Sequence, residues 1–148
     1  AMTGWRLGYL SGPASVIKAA AALQSQSTSN VCSFAQRGAI AAIEASRDCV
    51  REMAVSYDQR RTLLVEGLQA LPGITLVPPK GAFYAFPELP EACGDSVSFC
   101  QRALEQEGLA IVPGGAFGDD RCVRLSCAVS RETITEGLSR LSRLLPAD

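Results

Sequence analysis

The sequence predicts an α/β protein of the α+β kind, in which a small sheet of about three or four strands packs against helices. Three observations predict it. Val50, Met53, Tyr57, Leu64, Leu68 and Leu71 form one long apolar stripe at helical spacing. Short runs rich in β-branched and aromatic residues follow, punctuated by Pro and Gly. Among those runs lie two amphipathic stretches that begin at helix-capping residues, Asp95 and Ser130.

The elements are expected in this order. Trp5, Leu7 and Tyr9 alternate with Arg6, Gly8 and Leu10, which reads as a strand ended by Ser11-Gly12-Pro13. Pro13 suits a first helical position, and Val16, Ile17, Ala20 and Leu23 follow at helical spacing. The uncharged run over residues 25–30 breaks that helix. It reads as a polar loop, with hydroxyls enough to bind an oxyanion. Asn30 can cap a second helix through Phe34, Ile40 and Ile43 to about Ala45. Asp48 can cap a third, which the stripe carries to Leu71-Pro72-Gly73. Its length of some 23 residues is about 34 Å, enough to cross a domain of this size.

Residues 74–77 make a short strand, Pro78-Pro79-Lys80-Gly81 a turn, and residues 82–86 an aromatic strand ended by Pro87. The helix capped by Asp95 turns Val97, Cys100 and Leu104 inward and stops at Gly108. Residues 109–112 are a third strand, and the loop over residues 113–118 carries three glycines. Residues 121–128 are the fourth strand, with Val123, Leu125 and Cys127 on its core face. The last helix, capped by Ser130, turns Ile134, Leu138, Leu141 and Leu145 inward.

Composition narrows the function. The 148 residues suffice for one ordinary domain whose core needs no metal or disulfide. A net charge of -1 gives no general attraction to nucleic acid or to an anionic membrane, and neither partner is expected. The sequence contains no histidine, so it cannot itself supply a Ser-His-Asp triad, a Cys-His pair or a Cys₂His₂ zinc site, and no metal site is expected. The 6 cysteines include no C-x-x-C pair; four or more are expected inside periodic elements as buried free thiols, in preference to disulfides or metal ligands. That use of cysteine, with no basic-then-apolar leader in residues 1–11, makes a reducing, cytoplasmic location the expectation.

Two arginines are not required by the fold pattern. Arg6 lies between Trp5 and Leu7, and Arg124 between Val123 and Leu125, each inside an apolar run. On a strand each would face away from its apolar neighbours, with small residues beside it: Gly8 near Arg6, Cys122 and Ser126 near Arg124. Arginine is the side chain suited to bidentate recognition of carboxylate and phosphate. These residues alone point to an anion-binding domain and name no reaction.

The wording of several segments is familiar. Met2-Thr3-Gly4-Trp5-Arg6-Leu7-Gly8-Tyr9, then Thr28-Ser29-Asn30 with Ala35-Gln36, then Gly81-Ala82-Phe83-Tyr84-Ala85-Phe86 appear in order. Pro113-Gly114, Phe117-Gly118 and Val123-Arg124-Leu125-Ser126 complete the set. Together they resemble the C-terminal part of class I pyridoxal-phosphate aminotransferases, most closely the prokaryotic-type aspartate aminotransferase branch, over essentially the whole chain. The resemblance implies the small domain of the fold-type I enzymes over residues 30–148, preceded over residues 1–29 by a remnant of the large domain and a linker helix.

It also implies roles. Arg6 would hold the cofactor phosphate and Arg124 the substrate α-carboxylate. Phe83 would line the substrate mouth, and residues 27–30 would reach a neighbouring subunit's site. The implied substrates are an amino acid and a 2-oxo acid, and the implied assembly is a homodimer. The lysine that carries the cofactor in that family would fall ahead of Ala1. Lys18 and Lys80, the lysines present, do not match its position. No catalytic residue is therefore assigned within the chain. The segment alone is expected to be inactive and not to bind pyridoxal phosphate. Two other implications stay open: a related fold-type I enzyme such as a carbon–sulfur lyase or decarboxylase, or a ligand-sensing domain of a transcription regulator.

Overall fold

The computed structural model describes residues 2–45 and 47–146. The chain divides into two compact units, Ala1–Asp48 and Cys49–Asp148.

The first unit is helical. The expected strand at residues 5–10 does not form. Thr3–Trp5 is a short 3₁₀ turn, Arg6 turns left-handed at φ 51°, and residues 7–13 have no regular structure. Alternating apolar residues make a strand only where a partner offers backbone hydrogen bonds, and none pairs there. Helix α1 is Ala14–Ser27 and α2 is Ser33–Glu44. The polar run does not end α1 where its composition suggests, because Ser25 and Ser27 donate their hydroxyls back to the Ala22 and Leu23 carbonyls inside the helix. Asn30 does not cap α2; Cys32 stands at that position, with no side-chain cap bond. Trp5 lies against α2 at Gly38, where a Cβ would come within 2.7 Å of the ring. Ala35 is the buried residue of this unit among those described, while Leu23 and Phe34 are each 72% exposed.

The second unit holds the main core. Helix α3, Asp48–Gln69, buries Leu64, Val65 and Leu68. The apolar stripe thus packs from Tyr57 onward, and Val50 stays exposed. The sheet has three short antiparallel strands: β1 Tyr84–Ala85, β2 Val112–Pro113 and β3 Val123–Ser126, in the order β1-β3-β2. The strand expected at residues 74–77 is reduced to one bridge, Thr75 to Glu88. Pro87, two residues after β1, and Pro113, the last residue of β2, have no N–H to give a ladder, which helps keep those strands short.

Helix α4, Ser96–Glu107, begins at Asp95, whose carboxylate accepts the Ser98 N–H at 2.9 Å, and ends at Gly108 with φ 60°. Its inner face differs from the expected one. Ser96, Phe99, Cys100 and Ala103 are buried, while Val97 and Leu104 are exposed. Helix α5, Arg131–Ser142, turns Ile134 and Leu141 inward, with Leu145 buried just beyond it. Ser130 caps α5 by accepting the Thr133 N–H at 3.2 Å. Ser130→Ala is expected to cost about 1 kcal/mol, read as a lower denaturant midpoint at unchanged slope. Among the described residues no helix is long and apolar enough to cross a membrane.

Candidate functional site

Arg124 is on the central strand. Alternation along β3 places Val123, 0% exposed, and Leu125 in the core, and turns Arg124 to the opposite face. Tyr84 pairs with Ser126 across β1 and β3, so Tyr84 and Arg124 are diagonal neighbours on one face. The guanidinium carbon lies 4.3 Å from the Tyr84 ring centroid and 4.2 Å from that of Phe117. Phe117 ends a 3₁₀ turn, Gly114–Phe117, that follows β2 directly. Among the described residues no carbonyl or carboxylate accepts a hydrogen bond from Arg124.

Phe83 belongs to the same cluster. Its ring centroid is 4.5 Å from that of Tyr84 and 6.1 Å from that of Tyr57. Its carbonyl accepts the Cys127 N–H at 2.9 Å, and Ala82 before it has φ 59°. Phe83 and Arg124 thus each meet the Tyr84 ring. The surroundings differ from those expected of small neighbours. Cys122 is buried in the core, and Ser126 turns its hydroxyl to the Ala128 N–H. Rings from β1 and the 3₁₀ turn flank Arg124 instead. Tyr84 and Phe117 went unassigned in the sequence, although both lie within the quoted motifs.

Arg6 lies in the first unit. It is exposed, and its own N–H and Nη1 both donate to the Thr3 carbonyl, at 3.3 and 3.4 Å. It lines a concavity of about 690 Å³ with Thr3, Gly8, Gln24, Thr28 and Asn30 among its walls. The polar groups there are one cation, hydroxyls and amides, and no carboxylate lines it. That donor set fits a phosphate. Ser29, between Thr28 and Asn30, has φ 62°. The three described non-glycine residues at positive φ are thus Arg6 itself and the neighbours of two other motif residues. Such conformations cost about 1–3 kcal/mol and persist only where the surroundings impose them.

The cysteines split. Cys93, Cys100, Cys122 and Cys127 are buried, and desolvation raises their thiol pKa, that of Cys100 to about 11. They stay protonated and unreactive. Cys32 and Cys49 are exposed. Among the described residues no cluster of three His, Cys, Asp or Glu side chains could hold a metal ion.

Comparison with known proteins finds relatives over nearly all of the chain. The sequence profile described as "Aminotransferase class I and II" matches residues 1–141. The chain is 44% identical to a probable aspartate/prephenate aminotransferase of Aquifex aeolicus and 43% identical to an aspartate aminotransferase of Bacillus subtilis, over 97% of its own length in each case. It spans 38% of the length of each of these relatives. Among solved structures, a Thermus thermophilus aspartate aminotransferase with maleate superposes on 98% of the chain, at a TM-score of 0.86 and 44% identity. A Rhizobium meliloti aspartate aminotransferase gives a TM-score of 0.88 at 37% identity. The chain belongs to the class I and II aminotransferase family, with the small antiparallel sheet and flanking helices of its fold-type I members.

Proposed function

We propose that this chain is the C-terminal part of a pyridoxal-phosphate-dependent aminotransferase, acting on aspartate or a close analogue and a 2-oxo acid. Residues 30–148 are its small domain, and residues 1–29 a large-domain remnant with a linker helix. The parent is a homodimer. The observation that carries the reading is Arg124, set against two rings and with no acceptor on its guanidinium among the described residues. An arginine so placed keeps its paired N–H groups for an external carboxylate.

Arg124 binds the substrate α-carboxylate, and Phe83 walls the mouth beside it. Arg6, with the hydroxyls and amides around it, holds the cofactor phosphate. Pyridoxal phosphate, when bound, supplies the electron sink for the amino-group exchange. The chain's own part is to fix the anionic ends of cofactor and substrate, and to keep apolar side chains between substrate and water.

The test is amino transfer from aspartate to 2-oxoglutarate by the full-length protein loaded with cofactor. Stoichiometric formation of oxaloacetate and glutamate is expected. The segment of residues 1–148 alone is expected to give no turnover, because Lys18 and Lys80 do not match the family's lysine. Release of carbon dioxide or sulfide in place of amino transfer, or ligand binding without turnover by the full-length protein, would overturn the reading.

A further inference from the structure

We infer that Tyr84 and Phe117 are positioning residues that clamp Arg124 for its carboxylate. The inference rests on the reading of Arg124 as the carboxylate ligand and adds how that arginine is held. A guanidinium is planar, with N–H donors along its edge and none on its faces. The Tyr84 and Phe117 ring centroids lie 4.3 and 4.2 Å from the guanidinium carbon, close enough for both rings to attract the cation. Ring quadrupoles stabilise the cation there without accepting from its edge. A protein carboxylate would also hold the arginine, but would use the donors that the substrate needs. The rings remain partly open to solvent, since Tyr84 is 37% exposed and Phe117 is 48% exposed.

Each ring is braced. The turn that carries Phe117 is pinned where Gly115 N–H donates to Ser96 Oγ at 3.3 Å and Ser96 Oγ donates to Asp120 Oδ1 at 2.5 Å. Ser96 is fully buried, while its acceptor Asp120 is exposed. Tyr84 is fixed by its pairing with Ser126 and by the Phe83 ring. Phe83 in turn meets Tyr57 of α3, under the guanidinium of Arg60, which is tied to the Val129 carbonyl at 3.0 Å. Three rings, Tyr57, Phe83 and Tyr84, thus link the cation Arg60 to Arg124, and Phe117 ends the series beyond it.

The experiment uses the full-length, cofactor-loaded enzyme with Phe117→Leu and Tyr84→Leu, made separately so that either carries the test if the other fails to fold. Each is expected to raise both the KM for aspartate and the Kd for maleate by roughly 2- to 30-fold. Kcat and the cofactor absorbance should change less than about twofold. Phe117→Tyr and Tyr84→Phe, which keep a ring, should restore both constants. If Arg124→Lys raises KM while the leucine variants stay within twofold of the parent, the clamp is wrong and the carboxylate reading stands. If Arg124→Lys also leaves KM unchanged, both fall. Parallel losses in kcat, KM and melting temperature without rescue by the ring-keeping variants would make the rings ordinary packing, and would also overturn the clamp.

Discussion

Arg124→Lys in the full-length enzyme is expected to lower kcat/KM for amino-acid substrates by about 10- to 150-fold. The figure follows from one lost charge-assisted hydrogen bond, worth roughly 1.5–3 kcal/mol, at tenfold per 1.36 kcal/mol. Lysine keeps the charge but offers no planar pair of donors. It also has no flat face to lie against Tyr84 and Phe117, at 4.3 and 4.2 Å. Arg124→Ala should cost more, since charge and geometry both go. Stability should change by less than about 1 kcal/mol in either variant, because the side chain faces away from the Val123 and Leu125 core. Steady-state kinetics beside a thermal melt check this. A kcat/KM within twofold of the parent, with a lowered melt, would make Arg124 a scaffold residue.

Gly114→Ala is expected to be the more damaging substitution for the fold. A Cβ at Gly114 would overlap the backbone carbonyl oxygens of Cys122 and Asp119. Neither is the end of a flexible side chain, so the backbone itself must part. Parting it strains the Gly114 N–H to Cys122 carbonyl bond, 2.9 Å, and the Asp119 N–H to Gly114 carbonyl bond, 3.3 Å. Overpacking of about 1–3 kcal/mol, together with two weakened backbone bonds of about 0.5–1.5 kcal/mol each, gives roughly 2–6 kcal/mol. Gly115→Ala is the control, because its Cβ meets only the Asp120 carboxylate, at 3.0 Å, and that side chain can move. Denaturant unfolding of both variants in the full-length protein measures the difference. A Gly114→Ala loss below about 0.5 kcal/mol would show that the turn relaxes freely.

The parts of the fold readable in sequence are those where local signals have no rival. Asp95, Ser130 and Gly108 mark helix ends because capping is a property of a few adjacent residues. Val123, Leu125 and Cys127 show the core face because a two-residue period admits no other reading. Helix α4 shows the limit. An arc through Val97, Cys100 and Leu104 and one through Phe99, Cys100 and Ala103 are both helical, and only packing selects the second. At residues 5–10 the alternation is real, but strand formation depends on a partner elsewhere in the chain. The site divides in the same way. An arginine inside an apolar run is conspicuous, so Arg6 and Arg124 stand out unaided. The rings on Arg124 come from β1 and from the turn after β2, and their meeting is a fact of tertiary structure.

The left-handed backbone of Arg6 has a consequence for protein engineering. At φ 51° a glycine or asparagine would sit more comfortably than arginine. A screen that rewards only heat tolerance would therefore favour discarding this side chain. The same screen would draw Ser29, φ 62°, and Ala82, φ 59°, toward glycine, loosening the backbone next to Asn30 and Phe83. A thermostabilised library of this protein would drift away from anion binding one comfortable residue at a time, unless turnover is selected in the same round.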